Sequence, residues 1–418
     1  MTIARAPRRA PLVAAVAAMA LCCAVCAAIT VPAGVARAAA AAGNDGAGST
    51  GSGRVGPPGV EGLVQGQAAR LDDGEFQRLL DQLYRDTAGY APEIRWRDVV
   101  SEVSRGRPGV DVTAIMRGLG EYLFRETMAN SRLLGRLVIL AVAAALLENI
   151  GSAFERRGVA DLAKAACYLV LVVLAAGSFI HTMSAARKVI ADMVTMMKAL
   201  LPTLIALVAA SGGPVSAGLL KPAIIATVYA VSVITSDYVL PMLMLAAVID
   251  LAGHVVKQFR ISGVASLLRQ ASALVLGLSL ATFLGMVAVN KAAGSVADGV
   301  ALRSAKFLSG TFVPVVGKMF SDAAEMVFAS SYLLRSAVGI AGAAAVIVTV
   351  AYPLCKVLSL IIIYRVAAAL MQPIGADTLG ECLNSIANAL TFMSAAAGSV
   401  AIMFVLAITA LAVAANPV

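Results

Sequence analysis

Long apolar segments separated by short polar stretches make up most of the chain after its first third. They lie at roughly 133–150, 163–182, 199–220, 222–236, 239–256, 270–290, 336–355, 357–371 and 395–414. An apolar run of about 18 residues or more is long enough to cross a bilayer as a helix. Several runs are shorter, and "SGGP" at 211–214 interrupts one of them, so broken or interfacial helices are expected among the spans. The pattern predicts an all-α polytopic membrane protein with about seven to eight transmembrane helices.

The first 38 residues have the layout of a secretory signal peptide. Arg5, Arg8 and Arg9 precede an apolar stretch, and "ARA" at 36–38 supplies the small residues of a cleavage site. The alternative is an uncleaved first transmembrane helix, because the apolar stretch is long for a signal. With a signal at 1–38, the chain divides further into an Ala/Gly/Ser-rich flexible linker, a helical extracytoplasmic segment and a membrane domain, at 39–69, 70–132 and 133–418.

Three shorter stretches have a mixed, amphipathic pattern. Ile115, Leu119 and Tyr122 recur at helical spacing, so they predict one apolar helix face within 70–132. The stretches 183–198 and 291–307 mix small, apolar and charged residues. They predict either helices that lie flat on the membrane surface or the polar ends of neighbouring spans.

Composition and charge agree with the membrane class. Of the 418 residues, 60% are hydrophobic and only 14% are charged, whereas soluble domains carry about a quarter charged residues. The formal charge of +9 falls to +5 when the four arginines of 1–38 are removed. Basic residues at 156–164 and 257–269 flank apolar runs, which indicates cytoplasmic loops rather than a surface for nucleic acid.

Residues for catalysis or metal binding do not form any known pattern. His181 and His254 lie in different segments, and neither has a Cys, His or Asp at ligand spacing. The chain contains no phosphate-binding loop of the nucleotide-binding type. Its six cysteines show no disulfide or metal-ligand spacing. We therefore expect no enzymatic activity, no cofactor and no metal.

Ionisable residues in or near apolar runs are the remaining candidates, because a charge at bilayer depth needs a partner or water. They are Glu148, Asp237, Asp250, Lys291, Arg335, Lys356 and Arg365. Arg365 lies in the middle of 357–371 and is expected to need a carboxylate partner or water. Small residues at 339–345, "GIAGAAA", predict close packing between helices.

The stretch "LSGTFVPVVGKMFSDAAEMVFASS" at 308–331 is neither a clean span nor an ordinary polar loop. Pro314 disfavours helix at the residue before it, Gly317 permits an unusual turn, and Ser321 with Asp322 suits the start of a following helix. The stretch is either a re-entrant or interfacial elbow that shapes a pore or contacts a partner, or a plain extramembrane hairpin. The candidate pore or partner-contact residues are Pro314, Gly317, Ser321, Asp322, Arg335 and Arg365.

Several motifs follow one another in a distinctive order from about Asp98 to Asn416. They are "DVVSEVSRG", "SGGPVSAGLLKPAI", "SVADGVALRSAKFLSGTFVPVVGKMFSDAAEMVFASSYLLRSAVGIAG", "YPLCKVLSLIIIYRVAAALMQPIGAD" and "FVLAITALAVAAN". In this order they resemble the stage III sporulation protein AE family of endospore-forming bacteria. The long motif at 295–342 carries the resemblance most strongly.

The resemblance implies a multi-pass protein in the mother-cell membrane that surrounds the engulfed forespore. It implies a subunit of a channel or secretion-like complex that joins the two cells and is required for late forespore gene expression. The implied partners are membrane and ring-forming proteins of the same operon, a cytoplasmic secretion-type ATPase and, indirectly, a forespore membrane protein. Self-association stays open, nucleic acid is not expected, and the family has no established catalytic residues. The alternative is a stand-alone small-molecule permease, although the chain shows no convincing inverted repeat.

Overall fold

The computed structural model describes residues 112–153, 157–211, 213–255, 262–312, 314–375 and 377–413, with a few positions between 78 and 102. The expected signal and linker, at 1–38 and 39–69, lie outside these residues. Every element assigned in the described part is a helix. The all-α class is therefore confirmed.

Eight α-helices and one π-helical turn follow one another in the described part from residue 112 onward. They are α1 (Val112–Ala129), α2 (Ser131–Ala153), α3 (Arg157–Ala210), α4 (Pro214–Val233), the π turn (Ile234–Val239), α5 (Leu240–Val255), α6 (Ser262–Phe312), α7 (Pro314–Ile374) and α8 (Asp377–Val413). The π turn joins α4 to α5 without a break in the helical backbone.

The long helices run antiparallel, as their contacts at both ends demonstrate. Early in α7, Arg335 contacts Ala412 at the end of α8, whereas late in α7, Arg365 contacts Asn388 in the first half of α8. In the same way, α6 contacts the end of α5 early in its course and the start of α4 late in its course. Counting α1 with α2, and α4 with α5, the described chain runs through the bundle six times. The amino end of α1 and the carboxyl end of α8 consequently lie toward the same end of the bundle.

The two ends of the bundle differ in their sequence. One end holds the links after α2, α5 and α7, and Arg156, Arg157, Lys257 and Arg260 lie in or beside those links. We call it the basic end. The opposite end holds the links after α3 and α6 and the last turn of α8. We call it the break end, because the Gly–Gly–Pro interruption lies there.

Five helical stretches are long and apolar enough to cross a bilayer, or six when α1 and α2, which meet at 43°, are counted as one broken span. The multi-spanning class is confirmed, but the expected seven or eight spans exceed this number for the described residues. The stretch 183–198 lies inside α3, 291–307 lies inside α6, and 336–355 continues into 357–371 within α7. Charged side chains in these stretches do not remove backbone hydrogen bonds, so the helices continue through them.

Helix α7 occupies the centre of the break-end half. Nearly every residue from 334 to 350 is buried, and α1, α3 and α8 pack around it. The small residues predicted to allow close packing do so. A Cβ added at Gly339 would overlap Ala412, and one added at Gly342 would lie 2.9 Å from Leu200 Cδ1.

Helix α1 packs directly on α7 and has the apolar face expected from the sequence. Ile115 is buried against Val348 and Tyr352, with Leu119 and Tyr122 beside them. The rings of Tyr122 and Tyr352 meet edge to face, with 5.0 Å between their centroids and 72° between their planes. This segment is therefore part of the helical bundle.

The bundle is about twice as tall as the hydrocarbon core of a membrane. The five candidate spans contain between 35 and 49 residues, which corresponds to roughly 52–74 Å of helix. A bilayer core is about 30 Å thick. Two exposed charges, Arg187 of α3 and Lys356 of α7, lie well inside their helices. Lys356 lines the same cavity as His181, which lies six residues before Arg187. We use this level to divide the bundle into a basic-end layer and a break-end layer.

Candidate functional site

The backbone interruption between α3 and α4 lies in a set of buried polar contacts at the break end. The last turn of α3 is closed by bonds from the N–H of Ser211 to the carbonyl of Leu207 and from the N–H of Gly213 to that of Val208. Pro214 occupies the first position of α4, where the missing N–H removes no intrahelical bond. Side chains from other helices contact the residues on both sides of this interruption.

Asp298 of α6 caps the start of α4. Its Oδ1 accepts the N–H of Val215 at 2.9 Å, and its Oδ2 accepts the N–H of Ser216 at 3.2 Å. The side chain is 6% exposed, so its negative charge meets the positive end of α4 with little screening by water. One turn earlier, Gly294 leaves room for Ser216, because a Cβ at that position would collide with the Ser216 side chain. An acid from a distant helix thus replaces the local cap that the sequence "GGPVS" lacks.

Arg335 of α7 holds the carboxyl ends of two helices from the other side. Its Nη1 donates to Ser211 Oγ at 2.7 Å, and its Nε donates to the carbonyl of Ala412 at 3.1 Å. The guanidinium carbon lies 5.0 Å from the centroid of the Tyr332 ring. Arg335 is fully buried, and a cation at the carboxyl ends of helices is electrostatically favourable. The candidate Arg335 is thus placed inside the bundle, where it joins α3, α7 and α8.

A second polar cluster lies toward the basic end. Asp250 of α5 forms an ion pair with Arg269 of α6 at 3.0 Å, and Ser385 of α8 donates a hydrogen bond to the same carboxylate. The three side chains come from three different helices. The cluster therefore fixes how α5, α6 and α8 sit against one another at this level.

Arg365 was expected to need a carboxylate partner or water, and its hydrogen-bond partner among the described residues is an amide. Its Nη2 donates to the amide oxygen Oδ1 of Asn388 at 3.3 Å, and its side chain is half-buried between α7 and α8. Arg335 and Arg365 lie about 45 Å apart along α7. The two candidates therefore belong to different sites.

The stretch 308–331, expected to be either a re-entrant or interfacial elbow or a plain extramembrane hairpin, lies where two helices meet. Helix α6 ends at Phe312 and α7 begins at Pro314, so Pro314 does mark a boundary. Gly317, Ser321 and Asp322 all lie inside α7, and the prediction that Ser321 caps a later helix is wrong. Their side chains lie outside the described set. These four candidates are remote from Arg335 along the helix and are not brought together with it.

Sequence reasoning missed Asp298 and Ser211, the two residues that complete the cluster at the break. The available signal for Asp298 was that it is a single acid among small residues. No basic residue lies at helical spacing to pair with it. Among the residues described, no group of three His, Cys, Asp or Glu side chains could hold a metal ion.

These features define a class: a multi-spanning α-helical membrane protein in which the buried Asp298 and Arg335 contact helix ends. The chain matches the family described as stage III sporulation protein AE over residues 94–415. It is 34% identical over 357 residues to "Stage III sporulation protein AE" of Bacillus subtilis (strain 168), which covers 85% of this chain and 89% of that protein. The chain belongs to the stage III sporulation protein AE family, and its role is in sporulation. No solved structure matches it.

Proposed function

We propose that this protein is a multi-pass subunit of a channel or secretion-like complex that connects the mother cell to the forespore. It resides in the mother-cell membrane around the engulfed forespore and is required there for late forespore gene expression. Family membership and the multi-spanning bundle support the proposal.

The observation that carries the proposal is the height of the bundle. The basic-end layer has the character of a membrane segment, since 165–180 of α3 contains no charged residue. The break-end layer has exposed charges on the same and neighbouring helices, at Lys188, Lys198 and Lys291. Exposed charges of this kind suit water or a protein partner rather than lipid. A helical body of about 30 Å beyond the bilayer favours a docking subunit over a stand-alone permease.

The charge distribution supports an orientation for the bundle. Basic links favour the cytoplasm, so the basic end faces the mother-cell cytoplasm and a secretion-type ATPase. The break end faces the space between the two membranes. There it meets ring-forming and membrane proteins of the same operon and, through them, a forespore membrane protein. Further copies of this chain are also candidates for contact with the break-end layer.

Deletion of the gene in the native sporulating host tests the role. We expect engulfment to proceed normally, followed by loss of late forespore gene expression and collapse of the forespore. Normal late expression and intact spores in the deletion strain would reject the proposal and favour a permease.

Site-specific photo-crosslinking in the complemented host tests the docking argument. A photoreactive amino acid at Lys198 or Lys291 should give crosslinks to other proteins during sporulation. The same amino acid at Leu169, which is 64% exposed on the basic-end layer of α3, should give none, because lipid covers that position. Equal crosslinking at Leu169 and Lys198 would contradict this placement of the membrane.

A further inference from the structure

A cavity of about 370 Å³ opens where α1 bends into α2, beside α3 and α7. We call it the bend cavity. Its lining consists of Glu126, Asn130, Leu174, Gly177, Ser178, His181, Lys356 and Leu360. Groups of both charge signs thus face one space, whose floor includes two leucines.

The polar walls of the bend cavity are held in place by neighbouring groups. Lys356 lies close to Tyr122, whose ring packs edge to face on Tyr352. Asn130 Nδ2 donates to the carbonyl of Glu126 at 2.9 Å and to its Oε1 at 3.1 Å. A lysine of α7 and a glutamate of α1 therefore line the same cavity, and the glutamate carboxylate is held by Asn130.

Ser178 belongs to the wall rather than to the binding groups. Its hydroxyl lies 2.7 Å from the hydroxyl of Tyr364, and the Tyr364 hydroxyl also reaches the carbonyl of Leu174 at 3.3 Å. The groups that project into the cavity with room for a ligand are Lys356, His181 and Glu126. Lys356 and His181 suit a phosphate oxygen, and Glu126 suits an ammonium group that can donate hydrogen bonds.

Exposed apolar side chains of α3 extend from the level of the bend cavity toward the basic end. Ile180, Val173 and Leu169 are 59%, 70% and 64% exposed, respectively. Gly177 lies at the mouth of the cavity, and a Cβ added there would meet nothing within 4 Å. The uncharged run from Lys164 to His181 is about 26 Å long, close to the thickness of a bilayer core. With the bilayer on the basic-end layer, as proposed above, the cavity lies at the level of lipid headgroups and this apolar surface of α3 lies at the level of acyl chains.

We propose that the bend cavity binds one aminophospholipid of the phosphatidylethanolamine type. Its phosphate contacts Lys356 and His181, its primary ammonium contacts Glu126, and an acyl chain follows the exposed face of α3. The opposite charges of Lys356 and Glu126 match a zwitterionic headgroup. A choline headgroup has no N–H to donate to the carboxylate, and a glycerol headgroup has no cation, so both fit the cavity less well.

Native mass spectrometry of the full-length protein in detergent tests the proposal, with phosphatidylethanolamine, phosphatidylcholine and phosphatidylglycerol added in equal amounts. We expect one phosphatidylethanolamine molecule to be retained about tenfold more strongly than either other lipid. Lys356→Ala should lower its retention about tenfold, and Glu126→Gln should remove the preference over phosphatidylcholine. The matched control is Lys188→Ala, an exposed lysine of α3 outside the cavity, which should bind lipid as the unmodified protein does.

A second variant and a soluble competitor make the outcome decisive. Gly177→Leu fills the open mouth of the cavity without replacing any polar group, so it should lower lipid retention while thermal unfolding stays unchanged. Equal retention by Lys356→Ala, Gly177→Leu and Lys188→Ala would overturn the proposal.

Glycerophosphoethanolamine, which has the same headgroup and no acyl chains, should not displace the lipid at equal concentration. Displacement by it would assign the cavity to a soluble phosphodiester instead.

Discussion

Replacement of Asp298 by alanine is the most direct test of how the helix break is held. The carboxylate accepts two backbone N–H groups at the start of α4, those of Val215 and Ser216. No side chain from within α4 forms a cap hydrogen bond at Gly213. Asp298→Ala therefore removes the contact and leaves one buried and one partly buried N–H donor at the start of a helix.

The magnitude follows from these two bonds. Loss of a capping side chain costs about 0.5–2 kcal/mol, and a buried donor left without an acceptor costs about 1–3 kcal/mol. We expect Asp298→Ala to lower the free energy of unfolding by about 2–4 kcal/mol. Asp298→Asn keeps one acceptor oxygen but loses the charge at the helix end, so a loss of about 1 kcal/mol is expected.

Titration with sodium dodecyl sulfate, followed by circular dichroism of the purified protein, measures this difference. Asp237→Ala is the matched control, because Asp237 is an exposed acid on the π turn of the same continuous helical stretch. An exposed substitution of this kind should change the free energy of unfolding by no more than about 0.5 kcal/mol. If Asp298→Ala and Asp237→Ala unfold at the same detergent concentration, the cap does not stabilise the break and the reasoning fails.

Three further predictions address the bundle. Arg335→Met should destabilise the protein by about 2–4 kcal/mol in the same titration, because it leaves the Ser211 hydroxyl and the Ala412 carbonyl without their donor; an unchanged midpoint would show that these contacts are dispensable. Gly339→Ala should cost about 1–3 kcal/mol, because its Cβ meets that of Ala412, which cannot rotate away. Gly285→Ala meets nothing within 4 Å and serves as its control, with an expected change from zero to about 1 kcal/mol of stabilisation. Alkaline phosphatase fused after Val418 should be active in the host, because an even number of passes returns α8 to the end where α1 begins; activity of a cytoplasmic reporter at that position would contradict the six-pass arrangement.

The prediction of class succeeded because it rests on local composition. The apolar runs at 163–182 and 270–290 can be recognised from their own residues, and in a bilayer only helices or closed barrels satisfy the backbone hydrogen bonds. The small residues at 339–345 were likewise readable, since close packing needs a missing side chain on one helix. The predicted seven or eight spans exceed the five or six found in the described residues, because a charged residue such as Lys356 interrupts the apolar pattern without interrupting the helix.

The partners of the buried charges were beyond the reach of sequence reasoning. Asp298 lies 82 residues from Ser216 along the chain, and Arg335 lies 124 residues from Ser211. Nothing local to Arg335 indicates that two helix ends will meet it, or that Arg365 will find an amide in Asn388. Such pairings exist only after antiparallel packing has brought distant turns to the same level.

By itself, the sequence determined that this chain is helical, that it enters a membrane, which residues allow close packing and where one helix must stop, at Gly212–Pro214. Each of these follows from the hydrogen-bonding capacity and side-chain volume of neighbouring residues. Only the tertiary structure decided how that stop is stabilised, how many times the chain passes through the bundle, and that a lysine, a histidine and a glutamate share one cavity. Those features depend on the register between helices, which is set by the packing of whole faces and is not encoded at any single position.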